Sequence, residues 1–538
     1  TNTEDRFDKV NSGNNDSQIT SHNENITTTD LTSGGNLLLV ANNDIYSEST
    51  TFNAENDLVL KAGNDVLLTS VAELSNSTNK EKTTTSTTKN RSTKNSSSTT
   101  TTYQTKVTNT TNESIVNLGT SLVSGGNVNI TSGEDIVLSG STVDANGSIN
   151  VNAGNEIQLL SAVDETSGRY KSHIDTTTRN SVNNISRSKS YDAAKNTSST
   201  SNLTNSLSGN NVQLSAGNTL TSEGTQIDAS GDVNVSAENI DFLAVTDTQD
   251  SDSKVGSRKN YTKTNSHDEN VTTTDLTSGG SLSLVVNNDI YSEGSTLAAE
   301  GDVSLAAGGD VILTTATATN SSSTETKKTK SGFFGSKTTI KKTTNEDITN
   351  VGTSVVSGGN LSIVSGDDTI LYGSTAEAEG SINVNAVGDV QLLSAVDQTS
   401  ESYQSQKKGT FKVKAKSSGS VTQTAVGSGL VANGDIAVGS GENILLEGAV
   451  LASGGTLSLG ATGSGEAVTQ NENGDYVNEN GDVVGNITLA TQELHNSEWN
   501  ESSSGFRGIL KDVVKSLAVA VSIGSGGLIN SEIIVGES

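Results

Sequence analysis

One doublet of two 21-residue units, met six times, constrains this chain more than any other feature. Gly126-Asn127-Val128-Asn129-Ile130 is echoed by Gly147-Ser148-Ile149-Asn150-Val151, a shift of 149 − 128 = 21 residues. The same pairing joins Leu37 to Leu58, Val212 to Val233, Leu282 to Val303, Leu361 to Ile382 and Ile436 to Leu457. Two positions further on, Leu, Val or Ile recurs in all twelve units, from Leu39 and Leu60 to Leu459. Within each unit apolar residues alternate with Asn, Ser and Thr, the period of a strand with one buried face. A strand–turn–strand unit this short cannot bury its apolar stripe alone. Stacked on copies of itself it becomes one coil of a β-solenoid.

Composition agrees with that reading. Only 31% of residues are apolar and 3% aromatic, too few for a large globular core but enough for a thin internal stack. Fifty-four Gly and no Pro fit as well, since Gly supplies tight corners and Pro deletes ladder hydrogen bonds. Cys is absent, which excludes disulfides, thiolate metal sites and a thiol nucleophile. The chain has no Met and opens on TNTEDRFDKV without the pattern of a signal peptide, so a piece of a longer polypeptide is expected. No stretch reaches the apolar length of a membrane-spanning helix. A net charge of −29 argues against nucleic acid as a partner.

The order of segments follows. Residues 1–32 read as the end of a polar spacer. Residues 33–495 read as the solenoid, with doublets near 33–74, 122–165, 208–245, 277–316, 354–397 and 430–491. Ser/Thr/Asn/Lys-rich spacers follow the second coil of each doublet, and their Thr-rich alternation predicts long hairpins or extended rungs projecting from one side. In the sixth doublet an insert after Leu459 predicts a hairpin, with Asn-Gly-Asp turns at Asn473 and Asn480. Residues 496–538 read as an apolar segment, a cap or the entry to a next domain, with a short helix expected from Ser504 to Ile523. A larger duplication also shows: Asn117 to Tyr170 returns from Asn350 to Tyr403. Two blemishes stand out, Thr369 in an apolar slot and Ile240 one residue early.

All Lys and Arg except Lys61 lie in spacers or chain ends, whereas the coils keep mainly Asp and Glu. Lys327, Lys328, Lys330, Lys341 and Lys342 are the candidate surface contacts, for anionic lipopolysaccharide or a target-cell outer membrane. The plainer account is that these lysines keep β-rich flaps soluble. Catalytic, cofactor and metal sites are not expected. The acids recur singly at turns (Asp44, Asp65, Glu134, Glu156, Asp289, Asp310, Asp389), where Asp and Asn act as turn formers. The four His (His22, His173, His267, His495) share no motif with them. Calcium-binding β-rolls need a nonapeptide period, and the period here is 21. Trp499 and Phe506 are expected to pack the terminal segment.

The doublets SGGNVNITSGEDIVLSGSTVDANGSINVNAGNEIQLLSAVD and SGGSLSLVVNNDIYSEGSTLAAEGDVSLAAGGDVILTTA resemble the haemagglutinin repeats of filamentous haemagglutinins and CdiA toxin-delivery proteins. Lys330 to Lys337, reading KSGFFGSK, is similar to an insert common in the spacers of that family. The resemblance implies an all-β, right-handed parallel β-helix on a surface filament. It also implies export by two-partner secretion through an outer-membrane transporter, and a location on the outer surface of a Gram-negative bacterium. In function it implies the filament or delivery segment of a contact-dependent growth-inhibition toxin, or alternatively an adhesin stalk. Parallel β-helices also serve polysaccharide-degrading enzymes, the rival from another class.

Overall fold

The computed structural model describes residues 2–93, 96–181, 186–333, 335–462, 469–470, 476–477 and 485–506. The repeat becomes a parallel β-helix in which each coil contributes three short strands. In the third coil these are Ser121–Ser124, Val128–Ser132 and Ile136–Ser139. The first and second strands stack into two sheets of twelve, and the third strands form part of a larger sheet of 24. Strand partners are parallel and in the expected register: Leu37 faces Leu58, Leu58 faces Val128, Val128 faces Ile149 and Ile149 faces Val212. Along Val128–Ser132 the residues alternate between buried and half-buried, so one edge of every strand enters the shared core. Most of that core, including Leu60, Ile130, Val151, Leu214 and Leu284, has essentially no exposure.

The two blemishes are absorbed locally. Thr369 is fully buried in its apolar row, and its hydroxyl is satisfied by Ser365 Oγ at 2.8 Å. Ile240 still stacks on Leu220 and Ile290, because the turn before it is one residue shorter.

The two coils of a doublet leave the third strand differently. The first coil turns directly into the second at one residue in the left-handed region: Ser49, Gly140, Gly224, Gly294, Gly373 and Gly448, with φ between 49° and 66°. A side chain strains that conformation, and Ser49 is the exception. From the second coil the chain runs out into a long hairpin instead, such as Ala162–Asn180 with Ser186–Leu203. On re-entry a buried polar side chain fills the corner. Asn205 Nδ2 donates to the carbonyls of Leu138 (3.2 Å) and Leu160 (2.9 Å). The Thr353 hydroxyl reaches Ser292 O and Thr314 O, and Ser428 reaches Leu371 O and Leu393 O. The side chain bridges the rungs where the excursion has removed backbone partners.

The spacers are long antiparallel hairpins, one of the two forms the sequence predicts, and they do not stand apart from one another. Every hairpin pairs with the next, antiparallel throughout: Asn15–Asn25 on Val71–Thr93, Ser96–Leu118 on Ala162–Asn180, Ser186–Leu203 on Val245–Gly256, Asn260–Thr272 on Val311–Gly332, and Gly335–Gly352 on Ala395–Lys408. The result is a fin of antiparallel strands running the length of the solenoid. Its side chains are mostly exposed or half-buried on both faces, so it is a single layer. Ser497–Phe506 closes it as the last described strand, paired with Lys412–Val421. That placement corrects the start of the expected helix, since residues 504–506 are strand; residues 507–523 lie outside the described residues. In the insert, Thr469–Gln470 pairs antiparallel with Tyr476–Val477, and Ile487–Ala490 resumes the third sheet on Ile444–Glu447. Asn473 and Asn480 lie outside the described residues.

Candidate cationic interface on the hairpin sheet

The corner acids hold coils together rather than merely shaping turns. Asp289 Oδ1 accepts the backbone N–H of Asp310, Asp310 that of Asp368, Asp368 that of Asp389, and Asp389 that of Asn443, at 2.7–2.9 Å. A second ladder runs along another corner through Asn36, Asp57, Asn127 and Ser148. Asp310, Asp367 and Asp368 bring carboxylate oxygens within 4.8 Å of one another. Two of the three are engaged by backbone amides in the ladder. Burial raises the Asp368 carboxyl above the usual range, and the neighbouring acids add to this.

Acids also set the hairpins at their bases. Asp164 accepts from Asn117 N–H (2.6 Å) and Nδ2, Asp247 from Asn202, and Asp397 from Asn350, in the same arrangement each time. The recurrence of Asn and Asp about 46 residues apart is the signal that could have revealed them, but it crosses two hairpin arms.

Three of the four histidines, which the sequence left without a role, occupy one face of the fin between paired carboxylates. His267 Nδ1 lies 2.7 Å from Asp250 and Nε2 3.0 Å from Glu269. His173 lies between Asp192 (2.5 Å) and Asp175 (3.0 Å), and His22 between Asp5 (2.6 Å) and Glu24 (3.6 Å). A neutral imidazole has one N–H, so carboxylates on both sides of the ring favour the imidazolium. Hydrogen bonds to Asp5, Asp192 and Asp250 respectively are the main cause raising the three pKa values above 6.5. In each case the Nδ1 bond joins the two arms of one hairpin.

The lysines divide between the two faces. Successive strand residues alternate faces, and residues directly opposite on neighbouring strands share one. Lys327 lies opposite Tyr261 and Ile340, and Lys342 opposite Glu325. These two are half-buried. Lys327 Nζ lies 5.6 Å from the Tyr261 ring centroid, and the Tyr261 hydroxyl donates to Glu325 at 2.6 Å. Burial, then that bond, pushes the Tyr261 pKa up to about 12. Lys328, Lys330 and Lys341 point the other way. The five sequence candidates therefore do not form one surface.

The opposite face gathers lysines the sequence had not singled out. Lys330 faces Lys337 across the hairpin, and Lys407 faces Lys414 across the next. One row reads Lys328, Thr339, Lys407, Lys414; the adjacent row reads Thr326, Lys341, Ser405, Lys416. With Lys412, eight lysines share this face over four neighbouring strands, and all eight are exposed. None of them is among the ion pairs of the described residues. The acids on that face of these strands, Asp347, Asp397 and Glu401, lie nearer the solenoid. Trp499 lies on the other face, over Gly419, with Nε1 donating to Ser417 Oγ at 3.4 Å.

The hemagglutinin repeat family matches residues 10–175, 185–260, 255–410 and 334–459. The tRNA nuclease CdiA-2 of Burkholderia pseudomallei is 27% identical over 351 residues, 60% of this chain and 11% of that protein. The 16S rRNA endonuclease CdiA of Enterobacter cloacae is 31% identical over 124 residues, 23% of this chain and 4% of that protein. The tRNA nuclease CdiA of Escherichia coli is 30% identical over 196 residues, 36% and 6% respectively. The chain thus spans only a small part of the curated relatives it matches. No solved structure matches it.

Proposed function

Because the chain belongs to the hemagglutinin repeat family, we propose that it is the non-enzymatic delivery segment of a large secreted exoprotein that passes a toxin to neighbouring cells on contact. The observation that carries this reading is the match of its repeats to several CdiA proteins, named as nucleases of tRNA or 16S rRNA. On this reading the whole protein leaves a Gram-negative cell through an outer-membrane transporter and stays at the cell surface. The repeat region spans distance and meets the target cell's outer membrane or its lipopolysaccharide. A structural role is supported by the corner acids, which are spread along the coils and committed to backbone amides instead of being paired across a cleft.

Removal of residues 33–495 from the full exoprotein, with the flanking sequence kept, tests this. Attachment to target cells should persist while growth inhibition is lost. Loss of attachment in proportion to inhibition would make the region an adhesin stalk. Turnover of acidic polysaccharides by the purified chain would point to the enzyme class.

A further inference from the structure

We infer that the eight-lysine face of the fin, with the hairpin tips beside it, is a docking surface for an anionic lipid bilayer. It deepens the delivery reading, which sets the repeat region against a membrane, by naming the surface that meets it, and it rests on that reading. Lys328, Lys330, Lys337, Lys341, Lys407, Lys412, Lys414 and Lys416 form an exposed one-sign array on a chain whose net charge is −29. Lys330 opposite Lys337 and Lys407 opposite Lys414 are like-charge cross-strand pairs, which work against the sheet. Solubility alone gives no reason to concentrate them on one face, because the solenoid already carries abundant negative charge. A surface of closely spaced phosphates relieves the repulsion at all eight positions together.

The tips decide between a bilayer and a dissolved polyanion. Phe333, in the turn of one hairpin, is 98% exposed, and Phe411, in the turn of the next, is 76% exposed. The two tips are neighbours, since a side chain on Gly335 would run into Thr410. Lysines behind protruding aromatic residues match the chemistry of a headgroup layer over an apolar interior: cations attract the surface and rings enter the interface. Nucleic acid would use rings interleaved among the cations, as stacking platforms for bases. Here the two most exposed Phe lie at the rim, beyond the lysines.

The test is co-sedimentation of the 538-residue chain with vesicles of equimolar phosphatidylcholine and phosphatidylglycerol, and with vesicles of phosphatidylcholine alone. Binding should occur only to the first and fall steeply with salt. Lys337→Gln, Lys407→Gln and Lys414→Gln together should weaken it roughly tenfold or more. Lys327→Gln, Lys342→Gln and Lys408→Gln, which change the opposite face by the same charge, should leave it within about twofold. Phe333→Ser with Phe411→Ser should also weaken it. Equal loss in the two triple variants, equal binding to both vesicles, or tighter binding to single-stranded DNA than to the anionic vesicles would each overturn the proposal. The salt titration on the unaltered chain needs no variant to fold: salt-independent binding, or none at low salt, overturns it too.

Discussion

Replacing Ile130 by Ala tests how far damage travels in this molecule. Ile130 has no exposed surface and stacks between Leu60 and Val151 in the internal row. The exchange removes three carbons from a closed site, about 2.4 kcal/mol at about 0.8 kcal/mol per methylene. The cavity that rigid rungs cannot close adds to this, for a total of about 3–4 kcal/mol within the usual range of about 2–5. In a solenoid each rung touches only its neighbours, so this loss should appear as local opening. Hydrogen exchange followed by mass spectrometry should show peptides covering 58–69 and 121–160 exchanging on the order of a hundredfold faster, since each 1.4 kcal/mol is about tenfold. Peptides from 430–461 should not change. Thr131→Ala, on the outward side of the same strand, should shift stability by less than about 0.5 kcal/mol. Equal acceleration at 430–461 would show that the chain opens as one unit, and unchanged exchange at 121–160 would show that the row is not packed.

Ser49→Gly should stabilise the first doublet by about 1 kcal/mol or more, because a left-handed side chain is relieved and a buried hydroxyl without a partner is removed; slower exchange across 45–69 would confirm it and faster exchange would refute it. Asp389→Ala withdraws the acceptor for both Asn443 N–H and Nδ2 and should cost about 1.5–3 kcal/mol, as for hydrogen bonds to charged groups, read as faster exchange near residue 443 with no change at 211–237. The three histidines give the fin a pH dependence. Their folded pKa values are raised, so their contribution is full below the unfolded value near 6.5 and fades as pH rises through the folded values. Proteolysis should therefore nick the hairpins around 13–14, 181–186 and 257–259 faster at mildly alkaline than at mildly acidic pH, relative to a control substrate; a flat ratio, or protection that improves with pH, would count against the clamps.

Much of the solenoid was legible because its constraint is local and repeated. A period of 21 with apolar alternation admits one register, and Leu37, Val128 and Ile436 occupy it. The glycine of each doublet corner could be placed the same way, since Gly140, Gly224 and Gly373 recur at one offset. The fin was not legible. Thr, Ser and Asn on a two-sided polar sheet carry no periodic apolar mark, so nothing in the spacers states which hairpin arm pairs with which, or in what register. The lysine partition depends on that register. Lys327 and Lys328 must face opposite ways in any strand, but that Lys328 shares a surface with Lys407 and Lys414 follows only once the pairings of Gly332 with Gly335 and of Lys408 with Val413 are fixed. The clamps on His173 and His267 were hidden for the same reason, since each unites two hairpin arms.

The excursion after every second coil has a geometric consequence. Strands in a sheet sit about 4.8 Å apart whether they run parallel or antiparallel. Two coils advance the solenoid by two such steps, and one hairpin advances the fin by two. The two lattices grow from a single thread at the same gauge and stay commensurate from one doublet to the next. A hairpin after each coil would thicken the fin twice as fast as the spine and shear them apart; one after every third would open gaps. The doublet, which looks in the sequence like an accident of duplication, is the smallest length of chain that lengthens both lattices equally. A deletion of one coil alone should therefore disrupt the fin, whereas loss of two coils with their hairpin should leave a shorter molecule of the same form.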